Sequence, residues 1–347
     1  MKRSLSVTFV VASMVVVCAP LGCGDTSAPD TETSPTSPPP STPGGSTSGD
    51  DTPSPTPTST GTTPPTPSGA PCSGKPALKG DFDMTIASGG RNRIAKVHLP
   101  PGYDPTKATP VVLDFHGLSM NAATQELLSK MKAKADKSGF VAVQAEGIGL
   151  QQSWNAGVCC GEAAQAKIDD VGFVTKMLDE LEAKLCVDEK RVFSTGMSNG
   201  GALSHRLACE LSSRIAAIAP VAHVITIPQA SCKPTRPISV FSFNGTADTL
   251  VPYGGNGVGY PSVADTMKLW ATIDGCSTTP RETSKKGDVT CVTYDGCKAG
   301  NEVSLCTVQD GGHAWPGGMS IPLLGKTTQA ISATDMMWDF FAKHPMP

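Results

Sequence analysis

The chain has 347 residues, a net charge of −3 and no basic cluster, which argues against nucleic acid as a partner. Of twelve cysteines, Cys18 and Cys23 fall in a leader-like N-terminus, and the even number of ten behind it argues against a reducing compartment.

Met1-Lys2-Arg3 is a short basic start, and the apolar stretch from Val7 to Val17 is too short to span a bilayer as a mature helix. It ends at Leu21-Gly22-Cys23, the pattern of a lipoprotein-type signal peptide over residues 1–23 with Cys23 as the lipidated first residue. Pro20 stands where such sites usually carry Leu, so ordinary signal-peptidase cleavage nearby is the alternative. Both readings export the protein to the cell surface or beyond, with the membrane engaged only through the lipid anchor. Residues 24–71 are almost entirely Ser, Thr, Pro, Gly and Asp, which cannot bury a core and read as a disordered tether. At about 3 Å per residue it reaches at most about 140 Å. Residues 72–347 have the size of one α/β domain, expected to be monomeric.

Within that domain the expected strands are Phe82 to Ile86, Ile94 to Leu99, Pro110 to Phe115 and Phe140 to Gln144, with a helix from Ala122 to Lys137 between the last two. Pro110 to Phe115 is nearly all apolar, as a central strand covered on both faces requires. The segment from Ser153 to Gly161 reads as a structured loop. Asp169-Asp170 then opens a helix running to about Leu185, on which Val171, Val174, Leu178, Leu181 and Leu185 share one face. The two aspartates suit the helix's positive end, and one of them is free to pin a neighbouring loop. Ile215 to Ala219, Ile238 to Phe243, Val289 to Tyr294 and Val303 to Val308 read as further strands. Helices are expected at Val263 to Ile273 and Ile331 to Lys343. Alternating strands and helices predict an α/β fold, a mostly parallel sheet covered on both faces.

Arg191 to Gly201, R-V-F-S-T-G-M-S-N-G-G, is a strand, a tight turn and a helix start with Ser198 at the apex. Glycines two residues before and two after the serine let strand and helix approach and leave Oγ exposed. A serine hydroxyl needs an imidazole to take its proton, and the imidazole needs an acid to fix its tautomer. In this fold the three follow in the order Ser, Asp, His, each in a loop after a strand. Ser198, Asp248 and His313 satisfy that order, with Asp265, Asp295 and Asp310 as rivals to Asp248. His98 and His116 precede the nucleophile, His205 lies within the elbow helix, His223 comes before any acid strand and His344 is in the tail. The oxyanion requires two preset N–H donors, assigned to Asn199 and Leu118, with His116 bracing the Gly117 turn. No cofactor or metal is called for, and no histidine stands at ligand spacing from Cys159-Cys160.

Taken together, H-G-L at 116–118, S-W-N-A-G-V-C-C-G at 153–161, D-D-V-G-F at 169–173, G-M-S-N-G-G at 196–201, L-A-C-E at 207–210, I-A-A-I-A-P-V-A at 215–222, N-G-T-A-D-T-L-V-P-Y at 244–253 and G-G-H-A-W-P-G at 311–317 carry a resemblance. From about Asp81 onward the chain resembles the polyhydroxybutyrate depolymerase and feruloyl esterase family of secreted α/β-hydrolases (carbohydrate esterase family one-like). The resemblance implies a serine carboxylic ester hydrolase acting through an acyl-enzyme on hydroxycinnamoyl-polysaccharide or polyhydroxyalkanoate-type esters. It assigns Ser198 as nucleophile, Asp248 as acid, His313 as base, and Leu118 and Asn199 to the oxyanion. The chain departs from the family at Asn244-Gly245, usually His-Gly, and at Leu118, often Cys. Both departures bear on substrate more than on mechanism. An acetylxylan esterase, peptidase or thioesterase on the same fold is the alternative within enzymes, and a non-catalytic surface polymer-binding protein the alternative outside them. All three triad residues being present favours catalysis.

Two further expectations concern side chains near the site. Trp154, Tyr253 and Trp315 sit in loops around Ser198 and are read as substrate-binding aromatics, with Trp315 packing beneath the histidine loop as the alternative. A disulfide from Cys159 or Cys160 to Cys209 is expected to hold the loop on the elbow helix, with Cys276, Cys291, Cys297 and Cys306 forming two local bridges.

Overall fold

The computed structural model of the chain describes residues 72–257 and 259–347. The expected signal peptide, Cys23 and the tether over 24–71 lie outside these residues. Among the described residues no helix is long and apolar enough to cross a membrane.

Ten strands form one mixed sheet. In chain order they are β1 (Asp81–Ser88), β2 (Arg91–His98), β3 (Thr109–Phe115), β4 (Val141–Ala145), β5 (Val187–Met197), β6 (Ala217–Val221), β7 (Ser239–Gly245), β8 (Arg281–Lys286), β9 (Val289–Tyr294) and β10 (Val303–Val308). Their spatial order is β1-β2-β4-β3-β5-β6-β7-β10-β9-β8. The six central strands β4 to β10 pair in parallel, and antiparallel pairs close both edges. This is the expected α/β architecture.

The apolar run in β3 explains its central place. Val111, Leu113 and Phe115 enter the core on one face and Val112 the core on the other, as a period of two dictates. Helices α4 (Asp170–Lys184), α5 (Asn199–Glu210) and α6 (Val263–Ile273) supply side chains to the first core, and α7 (Ala333–Phe341) to the second. On α4 the side chains of Phe173, Val174, Met177, Leu178 and Leu181 are buried at three- and four-residue spacing, and Asp169 caps it by accepting from the Gly172 N–H at 2.8 Å.

The helix expected over 122–137 is two, α1 (Ala122–Ser129) and α2 (Met131–Ser138), broken at Lys130 with φ 52° and ψ 38°. Buried polar bonds explain the break. The Ser129 hydroxyl donates to Asp114 Oδ2 at 2.7 Å, and the Ser129 carbonyl accepts from Thr334 Oγ1 at 2.6 Å. A continuous helix would commit that carbonyl to its own ladder. Strand β8 escapes the sequence because all six of its side chains are exposed on the sheet edge, so no hydrophobic alternation marks it. The five-residue helix α3 (Gly161–Gln165) begins at the last residue of the segment expected to be loop and runs on into a stretch for which no element was expected.

Five disulfides cross the described domain, Cys72–Cys186, Cys159–Cys160, Cys209–Cys232, Cys276–Cys297 and Cys291–Cys306. The two local bridges near the last strands are as expected. The expected bond to Cys209 is corrected. Cys159 lies at the start of α5, with Sγ 3.7 Å from Asn199 Nδ2, whereas Cys209 is ten residues further along, about 15 Å down the axis. Cys209 instead reaches Cys232 in the loop after β6. Replacing both Cys209 and Cys232 by alanine should lower the unfolding free energy by about 3 kcal/mol in urea titration, the loss set by the loop they close. An unchanged midpoint would mean that the crosslink constrains nothing.

Candidate active site

Ser198, Asp248 and His313 all stand beyond the carboxyl ends of parallel strands, after β5, β7 and β10 respectively. Ser198 joins β5 to α5 with φ 55° and ψ −124°, a conformation L-residues rarely adopt. The chain accepts it because β5, α5 and β3 meet without side chains between them. A Cβ on Gly196 would lie 2.5 Å from the Phe115 carbonyl oxygen, and one on Gly200 2.1 Å from the same atom. The Ser198 N–H donates to Val221 O at 2.9 Å, fixing the turn against β6.

His313 and Asp248 are brought together. His313 Nδ1 donates to Asp248 Oδ2 at 2.7 Å, and both side chains are buried. The other carboxylate oxygen accepts from the N–H groups of Leu250 and Val251 at 2.9 and 2.8 Å, so the acid cannot rotate away from the ring. The rivals face elsewhere. Asp265 closes an exposed cap with Ser262, Asp295 pairs with Arg281, and the exposed Asp310 accepts from Gln309.

On the β3 side, Gly117 packs against the serine, since a Cβ there would lie 3.3 Å from Ser198 Cβ. Among the described residues, the turn's own bonds use the N–H groups of Ser119, to Gln152 O, and Met120, to Gly117 O, but not that of Leu118. Asn199 is the first residue of α5, where an N–H has no carbonyl one turn back. Two donors are thus left at the serine's flank. His116 holds the turn. Its Nε2 accepts from the Gly147 N–H at 2.9 Å, so Nδ1 carries the proton and donates to Gly117 O at 2.7 Å.

The aromatic residues lie elsewhere than expected. Trp154 is fully buried, edge-on to Phe115 with centroids 5.3 Å apart, and its Nε1 donates to His116 O at 2.9 Å. Trp315 is buried beneath the histidine loop, donating to Thr334 Oγ1 at 3.0 Å. Tyr253 packs on the main core and shares a 2.7 Å hydrogen bond with Thr307. The substrate-binding expectation is corrected for Trp154 and Trp315, whose rings brace the loops from inside. Tyr253 is likewise tied into the core rather than standing free.

The Trp154 loop is clamped to the elbow. The Asn199 side chain accepts from Trp154 N–H at 2.7 Å and donates to Trp154 O at 2.9 Å. Asp170 accepts from the Asn155 N–H at 2.7 Å and from Arg93 Nη1 at 2.5 Å, the loop-pinning role open to one of the two aspartates. Arg93 escaped the sequence reading. It lies buried between the rings of Phe173 and Trp154, 3.8 and 5.3 Å from their centroids, and only the unpaired Asp170 hinted at a partner. His223 also gains a place that spacing concealed. Its ligand nitrogen and the sulfurs of Cys159 and Cys160 lie within 4.8 Å of one another. The two sulfurs are bonded to each other, which removes the thiolates that a metal would need. Asn244 donates to His223 O at 3.1 Å.

A strained serine elbow, a bonded Asp–His pair and free amides at the carboxyl edge of a mostly parallel sheet define an α/β-hydrolase. The sequence profile of the esterase PHB depolymerase family matches residues 94–233. Feruloyl esterase B of Piromyces equi is 31% identical over 264 residues, spanning 72% of this chain and 45% of that protein. The chain therefore covers under half the length of that relative. Putative esterase NocK of Nocardia uniformis subsp. tsuyamanensis is 30% identical over 74% of this chain and 80% of its own length. Among solved structures, acetyl xylan esterase from Aspergillus awamori shares the fold with a TM-score of 0.55 at 14% identity, over 75% of this chain and 99% of that one. The chain belongs to the esterase PHB depolymerase family, a family of carboxylic ester hydrolases.

Burial holds the His116 imidazole down at about 4. A free histidine titrates near 6.5, so between about pH 4 and 6.5 the unfolded chain binds a proton here that the folded one refuses. This contribution to stability is present above 6.5 and lost as the pH falls through that window. His116→Gln should therefore reduce the slope of unfolding free energy against pH, between pH 4.5 and 6, by up to about 1.4 kcal/mol per pH unit relative to wild type. Equal slopes in the two proteins would contradict a neutral, buried His116.

Proposed function

We propose that the chain is an exported serine carboxylic ester hydrolase that works through an acyl-enzyme on Ser198. The observation that carries this reading is the fixed His313–Asp248 pair, at the same carboxyl edge of the sheet as a half-buried serine whose backbone is strained. His313 Nε2 takes the proton of Ser198 Oγ as the oxygen attacks the ester carbonyl, and Asp248 holds the ring in the tautomer that leaves Nε2 free to do so. The charge that develops on the carbonyl oxygen is met by the N–H groups of Leu118 and Asn199. Collapse of the tetrahedral species breaks the bond to the alcohol, which leaves with the proton from His313. Water then repeats the sequence on the acyl-serine, with His313 again as base, releasing the acid and restoring Ser198.

The substrate class rests on the relatives. Hydroxycinnamoyl esters of polysaccharide follow from the feruloyl esterase, and hydroxyalkanoate esters from the family description. Stacking on Trp154 or Trp315 supports neither, because both rings are buried. Five disulfides support export.

Ser198→Ala should lower kcat for ester hydrolysis by at least about 10³-fold, and Asp248→Asn by about 10⁴-fold, each with the unfolding transition little changed. Near-normal turnover in either variant would remove that residue from the mechanism.

A further inference from the structure

Beside the elbow runs an apolar groove of about 310 Å³, lined by Val158, Ile225, Ile227, Pro228, Tyr260 and Pro261 among others, with no charged side chain in its lining. The reading of the chain as an ester hydrolase gives this groove no role so far. Its walls come from three segments, and each is tied to the nucleophile turn. Val158 belongs to the loop that Asn199 clamps through Trp154, and its N–H donates to Thr226 O at 3.0 Å. Thr226 in turn donates from its hydroxyl to Ala156 O, so the first two walls are stitched together. Ile225 and Ile227 belong to the segment following β6, the strand whose last residue, Val221, accepts the Ser198 N–H. Tyr260 meets His223 edge to face, with centroids 5.4 Å apart and planes at 79°. His223 Cβ in turn lies 3.3 Å from where a Cβ on Gly201, in the first turn of α5, would stand. The Tyr260 wall of the groove is therefore one side chain, His223, away from the first turn of α5, which Ser198 precedes.

We infer that this groove receives the apolar group of the ester being cleaved and sets the enzyme's preference for esters that carry one. The inference rests on the ester-hydrolase reading above. Three features select the occupant. A lining of mostly apolar side chains, with one aromatic ring and only the uncharged Thr226 and Gln229 as polar members, gains by desolvating hydrocarbon and offers no counter-charge to an ionic group. The volume is at the low end of the range for small-molecule clefts, about 300–1,000 Å³, which suits one ring or short chain rather than a stretch of polymer. Val158 is 62% exposed although its loop is pinned on both sides, so the apolar surface is held open rather than folded away. The acyl and the alcohol moieties of an ester both supply such a group, and the experiment separates them.

In the full chain, kcat/KM is measured for two series. The acyl arm compares p-nitrophenyl acetate with p-nitrophenyl hexanoate and cinnamate. The alcohol arm compares methyl acetate with phenethyl acetate. Val158→Asp, at an exposed position, and Tyr260→Ala should each lower the ratio of bulky to small ester by about tenfold in one arm, through KM, while Tyr260→Phe keeps the wild-type ratio within about twofold. The arm that moves identifies the moiety in the groove. Ratios unchanged in both arms, including an equal fall for small and bulky esters in each of them, would overturn the assignment. Ser198 is titrated in each variant with an organophosphonate. Continued labelling with unchanged ratios removes the groove alone, whereas ester hydrolysis by a protein lacking Ser198 removes the underlying reading as well.

Discussion

The contact on which the site depends is the approach of β5 and α5 to the backbone of β3 at Phe115. Gly196 and Gly200 both press against the Phe115 carbonyl, and either one with a side chain would drive three elements apart. The positive φ of Ser198 stores backbone strain of about 1–3 kcal/mol, which persists only where the surroundings over-determine it. Here they do. The Ser198 N–H is bound to Val221 O, the Ser198 carbonyl accepts from Ala202 N–H at 2.9 Å, and the side chains of Leu203 and Leu207 bury α5 in the core. The same contact places the Gly117 turn against the serine, because that turn begins at the end of β3. The Ser198 turn and the Gly117 turn are thus positioned by one packing event rather than two.

Around this contact lies a layer of buried polar bonds that fixes loops rather than chemistry. Asn199 holds both backbone groups of Trp154, Trp154 holds the His116 carbonyl, and His116 holds the Gly117 turn. Arg93 and Asp170 anchor the far side of the loop at Asn155. Burial pushes the Asp170 carboxyl upward, with the Arg93 charge pulling against it, so the pair itself adds little to stability. Its value lies in the Asn155 N–H it satisfies and in the penalty for removing one partner, which leaves the other charge buried alone. On the opposite core, Asp114 receives Gln125, Ser129 and Gln144, and burial raises its carboxyl to about 6. Through Ser129 and Thr334 that cluster reaches Trp315, two residues past His313.

The parts of this arrangement that the sequence makes legible are those with a local signature. The central strands announce themselves by buried apolar runs, the amphipathic helix at Asp170–Lys184 by its period, and the Ser, Asp, His order by position after successive strands. The expected bounds of the 263–273 helix and of the strands at 289–294 and 303–308 coincide with those observed. What stays hidden is set by long-range geometry. Trp154 sits in a polar loop sequence, and nothing local tells that its ring turns inward onto Phe115 and Arg93. The pairing of Cys209 with Cys232 depends on which end of α5 the loop crosses, which no spacing records. Arg93 lies on a strand of mostly polar residues and becomes central only because Asp170 is folded opposite it. Strand β8 has no buried face at all, so periodicity cannot find it.

The central claim is that one serine, activated by the His313–Asp248 pair, carries the acyl group. The direct measurement is intact-mass analysis after exposure to a fluorophosphonate, followed by peptide mapping. The account predicts a single adduct per chain, on Ser198, appearing in step with the loss of esterase activity and absent from the heat-unfolded protein. Full activity in protein that takes up no phosphonate, or an adduct mapped to any other residue as activity is lost, would contradict it.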